Sequence, residues 1–316
     1  IEFNGTVTVP EGSKYHVVDS TIPKVVNLSA NRNLIINGDM KVAQRGTTSS
    51  ATDNNYHTVD RWRIASKELT MTQEQVELTA SDTPYSSGLR FASKMTNTLV
   101  STDPSSWAEF RYITEAQHIA QSGWNYTDSS SHLTLSFWIK TSKSGLYHGY
   151  MKSSDGTEKR FAFSHDLVAD TWEKVTVTIP GHPDLQFDNT SGAGMLLYIY
   201  AHLGTNHTNT DTLTETWEDY DGTDITPNFT TNWNNTASAN MFLTGVQLEV
   251  GEEATPFEHV PYDVQLARCF RYYEARTNYH EVKTSPGLNA YANWYFKTRM
   301  RTAPVVQNND GVGKPI

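Results

Sequence analysis

The sequence is short of thiols and of basic residues. Cys269 is the only cysteine among 316 residues, which excludes an internal disulfide framework and a zinc site built from several thiolates. Lys and Arg total 25 against 35 Asp and Glu, for a net charge of -10, and no run of basic residues could neutralise successive phosphates. We therefore expect no nucleic-acid partner.

Long apolar runs are absent as well. No stretch approaches the roughly 18 consecutive apolar residues that a transmembrane helix needs, so we expect no membrane insertion. The sequence begins at Ile1 without an initiator methionine or the pattern of a signal peptide, and it ends shortly after a strand-like segment. We expect the chain to be a piece of a longer one.

The sequence motifs of common catalytic sites are also missing. The sequence contains no G-x-S-x-G, H-E-x-x-H, P-loop or G-x-G-x-x-G motif, and its 11 His residues are scattered without ligand spacing. Cys269 falls on the apolar face of a predicted helix, where a buried and inert thiol is expected. These absences predict a protein that is not an enzyme and that requires no cofactor.

Aromatic residues and alternating apolar residues, by contrast, are abundant. The chain has 16 Tyr, 8 Trp and 12 Phe. A period of two marks the segments "HLTLSFWIKTS", "TWEKVTVTIPG" and "GMLLYIYAHLG". A later strand is predicted to place on one face Phe242, Val246, Leu248 and Val250. Strands with one apolar face each need a second sheet about 10 Å away. The sequence therefore predicts an all-β fold, a jelly-roll β-sandwich.

Four segments are predicted along the chain. They are an extended N-terminal neck (1–33), the jelly-roll sandwich (34–260), a connector helix (261–280) and the start of an incomplete C-terminal β domain (281–316). The helix is indicated by an apolar stripe at helical spacing, formed by Leu266, Cys269, Phe270 and Tyr273. Residues 203–240 are acidic and rich in Thr and Asn, which predicts a functional loop or a pair of short irregular strands.

Aromatic side chains on strand faces are the candidate binding residues. Trp138 lies on the polar side of its strand, where a flat indole could stack on a sugar or be covered by a loop or a neighbouring subunit. Tyr198, Tyr200 and His202 alternate on one face of another strand, about 6 to 7 Å apart, and could bind a ligand or form a subunit contact. The acidic loop adds two further candidates, Trp217 and Tyr220.

The motif "DYDGTD" is a weak candidate for a calcium site. Asp219, Asp221 and Asp224 lie within six residues, and Gly222 permits a sharp turn. Calcium takes about six to eight oxygen ligands, so alternating carboxylates could supply part of a structural site. The closing glutamate of an EF-hand loop is missing, and a solvated acidic loop is the alternative.

Five segments in order support a resemblance to a known family: "NLIINGDMKVAQRG", "HTVDRWRI", "LTLSFWIKT", "TWEKVTVTIPG" and "TGVQLEVGEEATPFEHVPYDVQLARCFRYYE". Over roughly residues 33–300 the chain resembles bacteriophage tail-fibre and related virion appendage proteins, whose main module is a jelly roll like those of carbohydrate-binding modules. In such proteins the strand at residues 245–251 closes the sandwich, and the helix ending at residues 271–273 leads to a further small β domain.

The resemblance implies a virion protein, in a tail or capsid appendage, that is usually a homotrimer. Its implied partners are other virion structural proteins and a host cell-surface glycan bound during adsorption. Two alternatives stay open: a purely structural capsid or tail decoration or spacer that binds no sugar, and an ancillary module of a polysaccharide-degrading tailspike. The latter is disfavoured because the chain has no internal repeat of about 20 to 50 residues, the mark of a β-solenoid.

Overall fold

The computed structural model describes residues 31–210, 213–275 and 295–305. Within these residues the chain forms fourteen strands and only two short α-helices. The all-β prediction is confirmed.

The strands follow one another with short connections up to the acidic loop. The first six elements are β1 (Thr48–Ser49), β2 (Trp62–Lys67), β3 (Thr70–Glu77), β4 (Phe91–Leu99), β5 (Trp107–Glu115) and helix α1 (Ala116–Ala120). The next five are β6 (His132–Thr141), β7 (Gly145–Ser153), β8 (Lys159–Leu167), β9 (Glu173–Pro180) and β10 (Ala193–Leu203). The last five are β11 (Thr208–Asn209), β12 (Trp217–Asp219), β13 (Thr226–Pro227), β14 (Asn240–Val250) and helix α2 (Tyr262–Phe270).

Two six-stranded antiparallel sheets form the sandwich. Sheet 1 has the strand order β1-β3-β4-β14-β6-β9, and sheet 2 has the order β12-β8-β7-β10-β5-β2. The chain crosses repeatedly between the sheets, so most neighbouring strands are distant in sequence, and only the pairs β3–β4 and β7–β8 are consecutive among the long strands of the described residues. The predicted jelly-roll sandwich is confirmed.

The core lies between the sheets and is filled from the alternating positions that the sequence predicted. Leu133, Leu135, Phe137 and Ile139 of β6 are each at most 2% exposed. They meet the inward residues of sheet 2, as where the rings of Phe137 and Phe163 lie 6.3 Å apart. Full burial of one such side chain contributes about 1.5 to 3 kcal/mol, so this face fixes which side of each strand points inward.

The predicted faces of β14 are wrong before Gly245. Leu243 lies in the core at 0% exposure, whereas Phe242 lies on the outer face beside Trp172, at 5.9 Å between ring centroids. The register with β6 shifts between Thr244 and Gln247, and Gly245 has a φ of 61°. A bulge of this kind inserts one residue into the alternation and exchanges the two faces.

The acidic segment forms short strands and covers sheet 2. Strand β12 joins the edge of sheet 2 beside β8, while β11 and β13 pair with each other. Ile225 and Phe229 from this segment pack on the outer side of β10. We refer to residues 204–230 as the covering loop. The described part of this loop therefore gives short irregular strands, one of the two predicted forms.

Helix α2 lies within the segment that was predicted as a connector helix. Its buried residues are Gln265, Cys269 and Phe270, and Leu266 is half-buried. Burial raises the pKa of the Cys269 thiol, so the thiol stays protonated and unreactive. The cysteine serves as a packing residue.

Three residues after α2 attach it to the sandwich. Arg271 donates two hydrogen bonds, each 2.7 Å, to the carboxylate of Glu115, and Tyr272 donates a third of 2.6 Å. The rings of Tyr272 and Tyr273 also receive stacked guanidinium groups, from Arg61 at 3.5 Å and Arg45 at 3.6 Å. We call these six residues the latch.

Several predicted boundaries fall only partly among the described residues. The strands from Thr48 to Val250 lie within the predicted sandwich, and α2 lies within the predicted connector. Of the predicted neck, only residues 31–33 are described. Residues 295–305 are the described part of the predicted C-terminal β unit, and none of them forms a strand.

Candidate functional site

The outer face of sheet 2 gathers most of the aromatic candidates. Tyr198 and Tyr200 point outward from β10, as the alternation predicted, and Tyr150 of β7 and Tyr220 of the covering loop join them. The rings of Tyr150 and Tyr198 stack in parallel at 4.4 Å and 6°, and Tyr200 and Tyr220 lie 6.1 and 6.2 Å from Tyr150. We call these four residues the tyrosine cluster.

Strand register extends this cluster into a row across the sheet. Tyr150 is the direct partner of Tyr198, Tyr198 of Arg111, and Arg111 of Arg63. Neighbouring strands are about 4.8 Å apart, so the four residues span about 14 Å. We call them the polar row. In the adjacent row of the same face, Glu109 of β5 pairs with Tyr200.

The ring faces of the cluster are largely occupied. The guanidinium of Arg111 lies 4.8 Å from the ring centroid of Tyr198, and the Lys152 ammonium lies 4.4 Å from that of Tyr220. Tyr198 is 8% exposed, whereas Tyr220 is half-buried. A ligand on this face would meet ring edges, phenolic hydroxyls and guanidinium groups. Tyr150, Tyr198 and Tyr200 are buried and leave no open ring face on which a sugar could stack.

A buried carboxylate lies under the row. Glu109 is 1% exposed and accepts a hydrogen bond from Arg111 Nη2. Burial raises the pKa of Glu109, while Arg111 and a hydrogen bond from Tyr200 act in the opposite direction. Burial also raises the pKa of Tyr198 to about 12, against the attraction of Arg111. The phenol of Tyr198 is therefore neutral at physiological pH, and its hydroxyl shares a hydrogen bond with Tyr150.

His202 does not continue the alternation of Tyr198 and Tyr200 along β10, because the strand is irregular after Tyr200. The register with β5 shifts between Tyr200 and His202. The His202 ring lies 5.9 Å from that of Phe229, and its Nε2 is 3.1 Å from Ser106 Oγ. Burial lowers the pKa of His202 to about 4, so the ring is neutral at physiological pH. Its surroundings resemble those of a packed core residue.

The two tryptophan candidates lie elsewhere. Trp138 is half-buried on the outer face of sheet 1, in a cluster with Leu89 and Trp172. Trp217 faces the core and donates from Nε1 to the carbonyl oxygen of Pro180 at 2.7 Å. Trp138 and Tyr198 therefore do not share one binding face, because β6 and β10 belong to different sheets.

The three aspartates of the weak calcium motif have separate partners. Asp219 pairs with Lys159 at 2.7 Å, and Asp224 lies 3.5 Å from Arg160. Asp221 accepts hydrogen bonds of 2.8 Å from the backbone and side chain of Thr223. Among the described residues, no group of three or more His, Cys, Asp or Glu side chains is arranged to hold a metal ion. The carboxylates stabilise the covering loop through cations and backbone amides.

Four residues of this face were absent from the predicted site: Arg63, Glu109, Arg111 and Tyr150. Strand β5, "WAEFRYITE", does contain a usable pattern, because Glu109 and Arg111 alternate with the buried Phe110 and Tyr112. Charged residues at the outer positions of a central strand indicate a polar sheet face. Their proximity to Tyr198 depends on register, which the sequence alone does not give.

Comparison with known proteins yields only distant similarity. No family model matches the chain, and none of the curated proteins matches it. Similar solved structures include a family 11 carbohydrate-binding module from Clostridium thermocellum in complex with a β-1,3-1,4-mixed-linked tetrasaccharide, at 13% identity and a TM-score of 0.32, covering 66% of this chain and 98% of that one.

Two other similar structures have different descriptions. A cyclase from Fischerella sp. TAU is 10% identical with a TM-score of 0.38, over 72% of this chain and 96% of that one. A putative sugar-binding protein from Bacteroides thetaiotaomicron is 12% identical with a TM-score of 0.31, over 69% and 100%. Similarities this weak say nothing about the ligand or activity of this chain. Among the described residues, no helix is both long and apolar enough to cross a membrane.

Proposed function

We propose that the sandwich is a non-catalytic glycan-binding module whose site is the polar row on sheet 2. The observation that supports this proposal is the alignment of Arg63, Arg111 and Tyr198 on three neighbouring strands. Guanidinium and phenol groups offer hydrogen-bond donors, and the phenol can also accept, as pairing with sugar hydroxyls requires. The edges of the rings offer apolar area between these groups.

We further propose that the module belongs to a bacteriophage fibre or related virion appendage and serves in host adsorption. The five ordered sequence segments support this origin. In a homotrimer, three such sites would bind a repetitive surface polysaccharide with useful avidity even at a millimolar affinity for each site.

A structural spacer is the second candidate, and one observation favours it. Tyr150, Tyr198, Tyr200 and His202 are each at most 8% exposed, because the covering loop packs on them. A face closed in this way can serve as a rigid second core under a loop. In this alternative, the sandwich would act as a rigid spacer within a fibre and would bind no sugar.

Glycan binding by single-hydroxyl variants would distinguish the two candidates. The purified chain would be titrated by calorimetry with polysaccharides selected on a glycan array. Tyr198→Phe removes one hydroxyl and keeps the ring. We expect it to weaken binding about threefold to tenfold, the effect of one neutral hydrogen bond. Tyr126→Phe, in a half-buried ring 5.1 Å from Phe187, is the matched control and should leave binding unchanged.

Other outcomes would assign the function differently. Weaker binding in Trp138→Ala, with Tyr198→Phe unchanged, would move the site to sheet 1. Absence of binding to every glycan, with normal adsorption of phage carrying both variants, would favour the spacer. Release of reducing ends from a bound polysaccharide would indicate a module of a degrading enzyme.

A further inference from the structure

The polar row begins with two arginines that face each other. Arg63 of β2 and Arg111 of β5 are direct partners in the register of sheet 2, and both point outward. Like charges directly opposite each other on neighbouring strands are destabilising unless a negative charge compensates them. The site therefore contains a local excess of positive charge in a chain whose net charge is -10.

One carboxylate is close to the pair, and it is bonded to only one of the two arginines. Glu109 accepts its hydrogen bond from Arg111. Arg63 instead has neutral partners: Nη1 donates to Asn54 Oδ1 at 3.0 Å, and the guanidinium lies 4.9 Å from the ring centroid of Tyr56. Nε of Arg63 and Nε of Arg111 are buried and have no hydrogen-bond partner among the described residues, so a ligand would meet the outer Nη groups.

Two other cations on the same face are each paired with a carboxylate. Lys152 pairs with Glu158 at 2.5 Å, and Arg160 pairs with Glu218 at 2.8 Å. These pairs lie one row away from the polar row. Arg63 therefore has no hydrogen-bonded carboxylate partner among the described residues, although the Glu109 carboxylate that is bonded to Arg111 also attracts it.

We propose that the ligand of this site is an acidic glycan whose sugar carboxylate binds between Arg63 and Arg111. This inference rests on the proposed glycan-binding function and specifies its ligand class. The planar guanidinium fork matches a carboxylate and can bind it through two parallel hydrogen bonds. A carboxylate here would balance the second arginine, while neighbouring sugar hydroxyls would reach the phenol of Tyr198.

Pairs of polymers that differ only in their carboxyl groups would test the proposal. The probes are hyaluronan, alginate and polygalacturonate, each compared with its carboxyl-reduced form, in which every carboxylate is converted to a primary alcohol. We expect at least one acidic polymer to bind about tenfold or more tightly than its reduced form, the effect of charge-assisted hydrogen bonds. Added salt should weaken the binding of the acidic form more strongly.

Matched variants would locate the effect. Arg63→Gln should lower affinity for the acidic polymer about tenfold. It should lower affinity for the reduced polymer much less, because a primary alcohol loses only a neutral hydrogen bond. Lys67→Gln is the control, because Lys67 is exposed on the same strand and the substitution removes the same charge. It should change binding of neither polymer. Thermal unfolding of both variants would verify that they are folded.

The results also separate this inference from the function on which it rests. Equal binding of acidic and reduced polymers, or an unchanged affinity in Arg63→Gln, would overturn the acidic ligand and leave glycan binding standing. Equal binding of dextran sulfate would overturn it too, because that result indicates general attraction of anions. Failure to bind these polymers and a neutral panel of dextran, galactan and mannan would overturn both.

Discussion

The latch and the polar row are built from the same residue types but differ in how their charges are paired. In the latch, Arg271 makes two hydrogen bonds to Glu115, and Tyr272 adds a third. In the polar row, Arg63 faces Arg111 and has neutral partners. Both regions stack guanidinium groups on tyrosine rings, as Arg61 does on Tyr272.

This difference indicates which region stabilises the fold and which one can accept a ligand. The buried carboxylate of Glu115 accepts four hydrogen bonds, two from Arg271 and one each from Tyr272 and Gln117, and has no capacity left for a partner. The latch is therefore a structural joint between α2 and the sandwich. An arginine without a carboxylate partner retains hydrogen-bonding capacity. Arginine and tyrosine in a sequence therefore do not by themselves separate a joint from a binding site.

Breaking the latch should have the largest effect on stability. Glu115→Ala leaves Arg271 and Tyr272 without their shared partner, and we expect a loss of about 2 to 3 kcal/mol in the free energy of unfolding. The loss falls below the roughly 3 to 5 kcal/mol of fully buried pairs because the Arg271 side chain is 25% exposed. Urea unfolding monitored by tryptophan fluorescence would measure it.

Glu109→Ala is a control for this comparison. It also removes a buried carboxylate bonded to an arginine, but Glu109 lies in the row next to the polar row, where it is bonded to Arg111. A purely structural reading of both regions predicts equal losses in the two variants. If Glu109→Ala lost as much stability as Glu115→Ala and glycan binding were unchanged, both regions would be structural, and the polar row would not be a binding site.

The latch should also make stability depend on pH in the acidic range. Burial acts to raise the pKa of Glu115, but hydrogen bonds from Arg271, Tyr272 and Gln117 hold it at about 2, below the ordinary 4.5. The contribution of this carboxylate to stability is therefore present above pH 4.5 and is lost as the pH falls through 2. Between those values, wild type should lose more stability than Glu115→Gln, as measured by urea unfolding at each pH. Parallel curves for the two proteins would contradict the assignment.

Much of the fold could be predicted because the determining pattern is local. Alternation along β6, β9 and β10 identified the inward faces correctly, since the period of a strand is a property of the chain itself. The prediction failed at Gly245, where a bulge adds one residue to the count. A glycine in a strand can indicate such a bulge, but it does not show which residues change face.

The candidate site could be predicted only in part because it depends on pairing between distant strands. Tyr198 and Tyr200 were found on their strand, but Arg63, Arg111 and Tyr150 come from three other strands. Trp138 satisfied the same local criteria and lies on the other sheet. The burial of the tyrosine cluster could not be predicted either, because the covering loop that encloses it packs through nonlocal contacts.

The smallest expected effect is the one that most sharply separates the two regions. Arg63→Gln should change the free energy of unfolding by no more than about 0.5 kcal/mol, because losing the bond to Asn54 is offset by relief of the repulsion with Arg111. Arg271→Gln, the same substitution in the latch, should destabilise the fold measurably, since it leaves Glu115 with fewer donors. Urea unfolding of both variants would compare them directly. If Arg63→Gln were as destabilising as Arg271→Gln, Arg63 would be a structural residue, and the excess positive charge of the polar row would need another explanation.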